Sequence, residues 1–189
     1  MLAWLKQRRD QRQKARSLYG SIVTQARARA FYARWGVPDT AEGRFEMIVV
    51  HLVLVLCRLA DAGEAGRRLA QDLTEAFVAD LDDALREMTV GDLAVPRNVK
   101  RAVAALHDRY AAYRGALAAD DDGALLTAIQ ARLAGTKGGP LDLDAGRIGA
   151  YMRGAKHRLD LLPDNEVLAG RVAWPQIDTP ERDVRAVAE

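Results

Sequence analysis

Apolar positions along the chain fall into two kinds of segment. From Phe45 to Ala60 the sequence reads FEMIVVHLVLVLCRLA, apolar all round, interrupted by His51 and closed by Gly63. Without a turn signal it is long for a strand despite its β-branched content, and a helix lacking a polar face belongs at the centre of a bundle. The remaining segments are striped at helical spacing. Leu18, Ile22 and Ala26 predict a helix from Ala15 to about Trp35, stopped by Gly36-Val37-Pro38-Asp39. Leu69, Leu73, Phe77, Leu81 and Leu85 mark a helix over Leu69 to Met88. Val99, Val103, Leu106, Tyr110, Tyr113 and Leu117 mark the next, with Pro96 near its start. A shorter helix carries Leu125, Leu126, Ile129 and Leu133. The last carries Ile148, Met152, Ala155, Leu159 and Leu162, weakened by Gly149 and Gly154.

Turn signals separate these segments: Thr89 to Pro96, Asp120 to Gly123, and the Gly135 to Pro140 loop. No alternating strand runs and no fixed repeat occur, so the expected fold is all-α, a single irregular bundle of six or seven helices. Three parts are expected: a basic amphipathic extension over 1–14, a helical domain over 15–175, and a loosely ordered tail over 176–189. Within the last stretch before that tail, Val172-Ala173-Trp174-Pro175 is the expected anchor.

Charge is distributed unevenly. Met1 to Arg34 carries nine basic residues against Asp10, while Asp61 to Asp92 carries nine acidic residues against three arginines, although the whole chain has a net charge of only +2. Arg8, Arg9, Arg12, Lys14, Arg16 and Arg27 therefore form a candidate patch for a membrane surface or a ribosome. Two solvated helix faces would give the same pattern. Leu2, Trp4 and Leu5 beside the cluster suit a helix lying on anionic lipid, or a frayed terminus. Secretion is not expected, because the amino-terminal stretch lacks an apolar core, and Met47 to Cys57 falls short of the ~20 residues that span a bilayer.

Candidate chemistry is sparse. His51, His107 and His157 lie on separate helices, there is no HExxH, and Cys57 stands alone in the apolar run, where a thiol behaves as a small hydrophobe. No P-loop or nucleophile elbow is present, and no cofactor or metal is expected. Asp80 falls on the apolar side of its helix and calls for a partner, either His51 or an arginine. A buried His51–Asp80 pair would be a structural hydrogen bond or acid–base machinery. Arg97, Lys100 and Arg101 make the first turn after Pro96 basic, against the helix dipole, which suits binding as well as plain surface placement. Tyr32, Trp35 and Tyr110 either line a groove or fill the core.

Four stretches together resemble the ubiquinol–cytochrome c chaperone family, helical assembly factors of the cytochrome bc1 complex: 17–40, 43–59, 77–101 and 168–175. The most specific piece is LREM followed by VGDL and VPR, with Gly91, Asp92, Pro96 and Arg97; His51 is a second marker. Thr89 departs from an expected glycine. The resemblance implies a non-enzymatic chaperone, of bacterial type, that binds newly made cytochrome b or another bc1 subunit. In mitochondrial members a small partner protein and the ribosome join it. Tyr32, Trp35, His51, Asp80, Gly91, Asp92, Pro96, Arg97, Lys100 and Arg101 are the candidate client-binding or family-marker residues. The location implied is cytoplasmic and peripheral at the inner membrane, or the matrix in a eukaryote. A peripheral lipid-binding module and a ribosome- or RNA-associated protein are the alternatives, and no DNA partner is expected.

Overall fold

The structure, a computed structural model, describes residues 2–87, 95–119, 122–133 and 143–177, with side chains from Leu5 onward. Gly91 and Asp92, Thr89, the Gly135 to Pro140 loop, the tail from 178 and the side chain of Trp4 lie outside the described residues. Among the described residues there are eight helical segments and no strand: α1 (Leu2–Ala26), α2 (Arg29–Ala33), α3 (Ala41–Ala60), α4 (Gly63–Glu87), α5 (Val95–Ala118), α6 (Asp122–Leu133), α7 (Ala145–Asp160) and α8 (Asp164–Val167). Six are long and two are short, so the all-α bundle read from the periodicity is the observed fold.

The apolar segment becomes α3 and occupies the centre, packing against α1, α4, α5 and α7. Met47, the run from Val49 to Val55, Cys57 and Leu59 are all buried on it. Its start is fixed by Thr40, whose side chain accepts from the Gly43 amide at 3.1 Å and so satisfies one of the free donors at a helix start. Burial pushes the Cys57 thiol up to about 11, as expected of a thiol packed as a hydrophobe. At the other end of α3, buried Arg58 donates to the carbonyls of Leu159 (3.0 Å) and Leu162 (2.7 Å) and to Asp164 (2.5 Å). It thereby caps α7 and ties the last helices to the centre.

The first helix differs from its expectation in both directions. It begins at Leu2, so the basic stretch and the amphipathic stretch after Ala15 share one axis, and it ends at Ala26 rather than near Trp35. Ala28 is extended (φ −59°, ψ 126°), and the Tyr32 hydroxyl donates to the Ala26 carbonyl at 2.7 Å, replacing a lost helical bond. No breaker residue marks this spot. Packing decides it, because the turn carries Phe31 and Trp35 into the core.

The helix expected from Leu69 starts earlier, at Gly63, whose positive φ of 66° makes the corner between α3 and α4. After α8 the chain returns across α1. Gly170 (φ 81°) makes that turn close against Lys14, where an added Cβ would lie 2.8 Å from the Lys14 carbonyl oxygen.

Candidate functional site

Five rings gather where α2, α3, α7 and the 171–177 segment meet. Phe31 stands edge-on to Trp35 (5.1 Å), to Tyr151 (5.1 Å) and to His51 (5.6 Å), and Trp174 packs edge-on to His51 at 5.0 Å. His51 is fully buried among them. Its Nδ1–H donates to the Met47 carbonyl at 2.7 Å, so Nε2 is the acceptor for the Tyr151 hydroxyl at 2.8 Å. Gln25 donates in turn to the Tyr151 oxygen at 3.0 Å. Burial lowers the His51 pKa to about 4, which keeps the ring neutral. Every polar atom of the imidazole is satisfied and the site is closed, so this hub serves structure. The expected anchor at Trp174 is part of it, its Nε1–H donating to Ser21 Oγ at 2.9 Å.

The His51–Asp80 pair does not exist. Asp80 is exposed and accepts instead from the Tyr19 hydroxyl at 2.8 Å. Counting helix positions placed Asp80 on the apolar side, but α4 extends past the rim of the core there, so the carboxylate reaches water. Burial and the Asp80 carboxylate together push the Tyr19 hydroxyl well above its ordinary range.

The amino-terminal basic patch is likewise divided by the fold. α1 packs most extensively along α4, the acidic helix. The Asp72 carboxyl on α4 is raised by burial and by neighbouring Glu75, and opposed by Arg12 and Arg8. Lys14 pairs with Asp10 at 2.8 Å. Arg8 and Arg12 of the basic stretch thus face Asp72 of the acidic one across this helix pair. Arg9 and Arg16 are exposed on the same helix, and Arg27 lies beyond its end beside Arg29, Tyr32 and Arg44.

The concave apolar surface lies between α4 and α5 over the carboxy-terminal half of α3. Leu56, Ala60, Ala70, Val103, Leu106 and Tyr110 line a hollow of about 310 Å³ there. A second hollow of about 460 Å³, lined by Val78, Ala79 and Val99, sits farther along the same helix pair, and Thr74 borders both. Together they form a furrow with an apolar floor and Arg67, His107, Glu75 and Asp82 on its rims. Pro96, Arg97, Lys100 and Arg101 are exposed on the first turns of α5, flanking Val99 at one end. Volumes of this size suit apolar side chains, and an open groove between two helices is a way to seat an amphipathic or apolar helix.

Beneath α5, Arg109 donates to both carboxylate oxygens of buried Glu46, with the Nε bond at 2.7 Å. This hydrogen bond holds the guanidinium's pKa above its ordinary value. Tyr113 is completely buried nearby, and its hydroxyl is the one buried side-chain polar atom without a hydrogen-bond partner among the described residues. Neither Glu46 nor Arg109 was foreseen from the sequence. The signal was available in Glu46, the one acidic residue within the apolar run from Phe45 to Ala60.

Of the aromatics left open, Trp35 fills the hub, whereas Tyr32 and Tyr110 line clefts. Among the described residues no three His, Cys, Asp or Glu side chains converge as metal ligands, and no helix is long and apolar enough to cross a membrane.

Comparison with known proteins bears on the same surfaces. The model of the ubiquinol-cytochrome C chaperone family matches residues 33–174. That span takes in the furrow, the start of α5 and every ring of the hub except Phe31. No curated protein matches the sequence. The crystal structure of the Cbp3 homologue from Brucella abortus is similar at a TM-score of 0.80 and 31% identity, over 93% of this chain and 97% of that one. With most of its length matched by the family model and 93% of it shared with that structure, the chain belongs to the ubiquinol-cytochrome C chaperone family.

Proposed function

We propose that the protein is a non-enzymatic assembly chaperone that holds newly made cytochrome b, or another subunit of the cytochrome bc1 complex, until assembly. The observation that carries the reading is the furrow between α4 and α5. It leaves Leu56, Val103 and Tyr110 half-buried at the surface of a protein whose other large apolar residues are mostly covered. A membrane protein's helix presents leucines and valines that need such a floor before they meet lipid or a partner subunit. The charged rims would keep the loaded complex in solution, and would let it work from the cytoplasm at the face of the inner membrane. Catalysis has no support in the hub, whose neutral histidine is sealed from substrate.

The test is mild-detergent affinity purification from growing cells, with mass spectrometry of what is retained, beside a deletion strain. Enrichment of cytochrome b and a deletion strain low in bc1 activity are the expected results. Normal cytochrome b and bc1 levels in the deletion strain would sink the assignment.

A further inference from the structure

The break between α1 and α2 creates a feature that a continuous helix would not have. Positions 27 and 29 of an unbroken helix are turned ~200° from one another and cannot face the same ligand. With Ala28 extended, Arg27 and Arg29 instead line one cleft, joined from α3 by Arg44. Tyr32, Ala33 and Asp39 complete a concavity of about 390 Å³. The Tyr32 hydroxyl donates to the Ala26 carbonyl at the break, which fixes the ring as a wall of the cleft.

Three guanidinium groups face a single carboxylate among the lining residues. Asp39 accepts from Arg44 Nε at 2.7 Å; among the described residues no carboxylate is hydrogen-bonded to Arg27 or Arg29. Like charges gathered in a hollow oppose the fold rather than support it, and the planar fork of arginine matches the oxygens of a phosphate. We infer that this cleft binds the phosphate group of a small anionic molecule, either a soluble phosphate ester or the headgroup of an anionic phospholipid. Arg44 stands twelve residues before Leu56 on α3, so the cleft lies roughly 18 Å from the furrow along that helix. Its occupancy is therefore measurable whether or not the furrow takes a client.

The experiment uses the full chain. Inorganic phosphate and glycerol phosphate are titrated and followed by NMR. In parallel, flotation is measured with phosphatidylcholine vesicles with and without phosphatidylglycerol. The Arg27→Gln/Arg29→Gln variant is expected to bind phosphate about tenfold more weakly. The Arg68→Gln/Arg158→Gln variant, equal in charge but placed at the carboxy-terminal end of α3, opposite Arg44, should bind as the parent does. Asp39→Asn should bind more tightly, since it removes the competing carboxylate. Flotation that needs phosphatidylglycerol and is lost in the cleft variant identifies a lipid headgroup as the source; phosphate binding without flotation identifies a soluble ester. Absence of saturable phosphate binding, or equal weakening in both arginine pairs, would overturn the proposal.

Discussion

The Tyr151 hydroxyl donates to His51 Nε2 at 2.8 Å across the interface of α7 and α3. That bond is the middle of a chain running from Gln25 on α1, through Tyr151 and His51, to the Met47 carbonyl. Three helices are thereby held in one register through a histidine with no access to water. A buried polar chain of this kind is costly to leave incomplete.

The neutral histidine makes stability depend on pH. Its pKa is about 4 in the fold against 6.5 unfolded, so the unfolded chain takes up the proton first as pH falls. The His51 contribution is complete above about pH 6.5 and is lost progressively toward pH 4, by roughly 3 kcal/mol in all. Denaturant unfolding of the protein and of His51→Gln between pH 7.5 and 4 should show a steeper loss in the parent. Equal slopes would mean that the ring is not held neutral.

The segment after α8 acts as a strap over this hub. Gly170→Ala adds a Cβ within 2.8 Å of the Lys14 carbonyl at a residue with φ of 81°. Strain of about 1–3 kcal/mol is expected. Trp174→Ala should admit water to His51 and raise its pKa toward 6.5, as read by NMR titration of the ring. A ring that still titrates near 4 in Trp174→Ala would show that the strap does not seal it.

Glu46 and Arg109 form an ion pair with side chains 7% and 11% exposed. Glu46→Ala strands the guanidinium and is expected to cost about 3–5 kcal/mol in chemical denaturation. The double change Glu46→Met/Arg109→Met should recover most of it, because both desolvated charges are gone. Tyr113→Phe removes a hydroxyl with no partner among the described residues, and should be neutral or raise stability by up to about 1 kcal/mol. A marked loss in Tyr113→Phe would reveal a partner for that oxygen.

Val103→Asp places a charge in the furrow floor at a half-buried position. Its thermal midpoint should change little, while cytochrome b recovered by affinity purification falls by about tenfold, the effect of losing 1.4 kcal/mol of binding. Retention of full client capture by a folded Val103→Asp protein would move the client site off the furrow.

The helices were legible because burial repeats with the period of the backbone. Leu69, Leu73 and Phe77 announce a helix and its buried face at once, and the apolar run around His51 announces a central one. The family, too, could be read from short stretches such as LREM and VPR. What periodicity misplaced was Asp80, since helical phase gives direction but not how far the core extends along the axis. It also carried the first helix through Arg27–Ala28, where nothing local opposes a helix.

The sequence by itself determined the all-helical class, the central place of α3 and the family, because each depends on residue pattern within one segment or one short stretch. Tertiary structure alone decided that His51 pairs with Tyr151, that basic α1 lies along acidic α4, and that Arg27, Arg29 and Arg44 share a cleft. The reason is physical: such partners are far apart in sequence or separated by an unsignalled turn. Their meeting depends on how helices pack, and packing is a property of the whole core rather than of any segment.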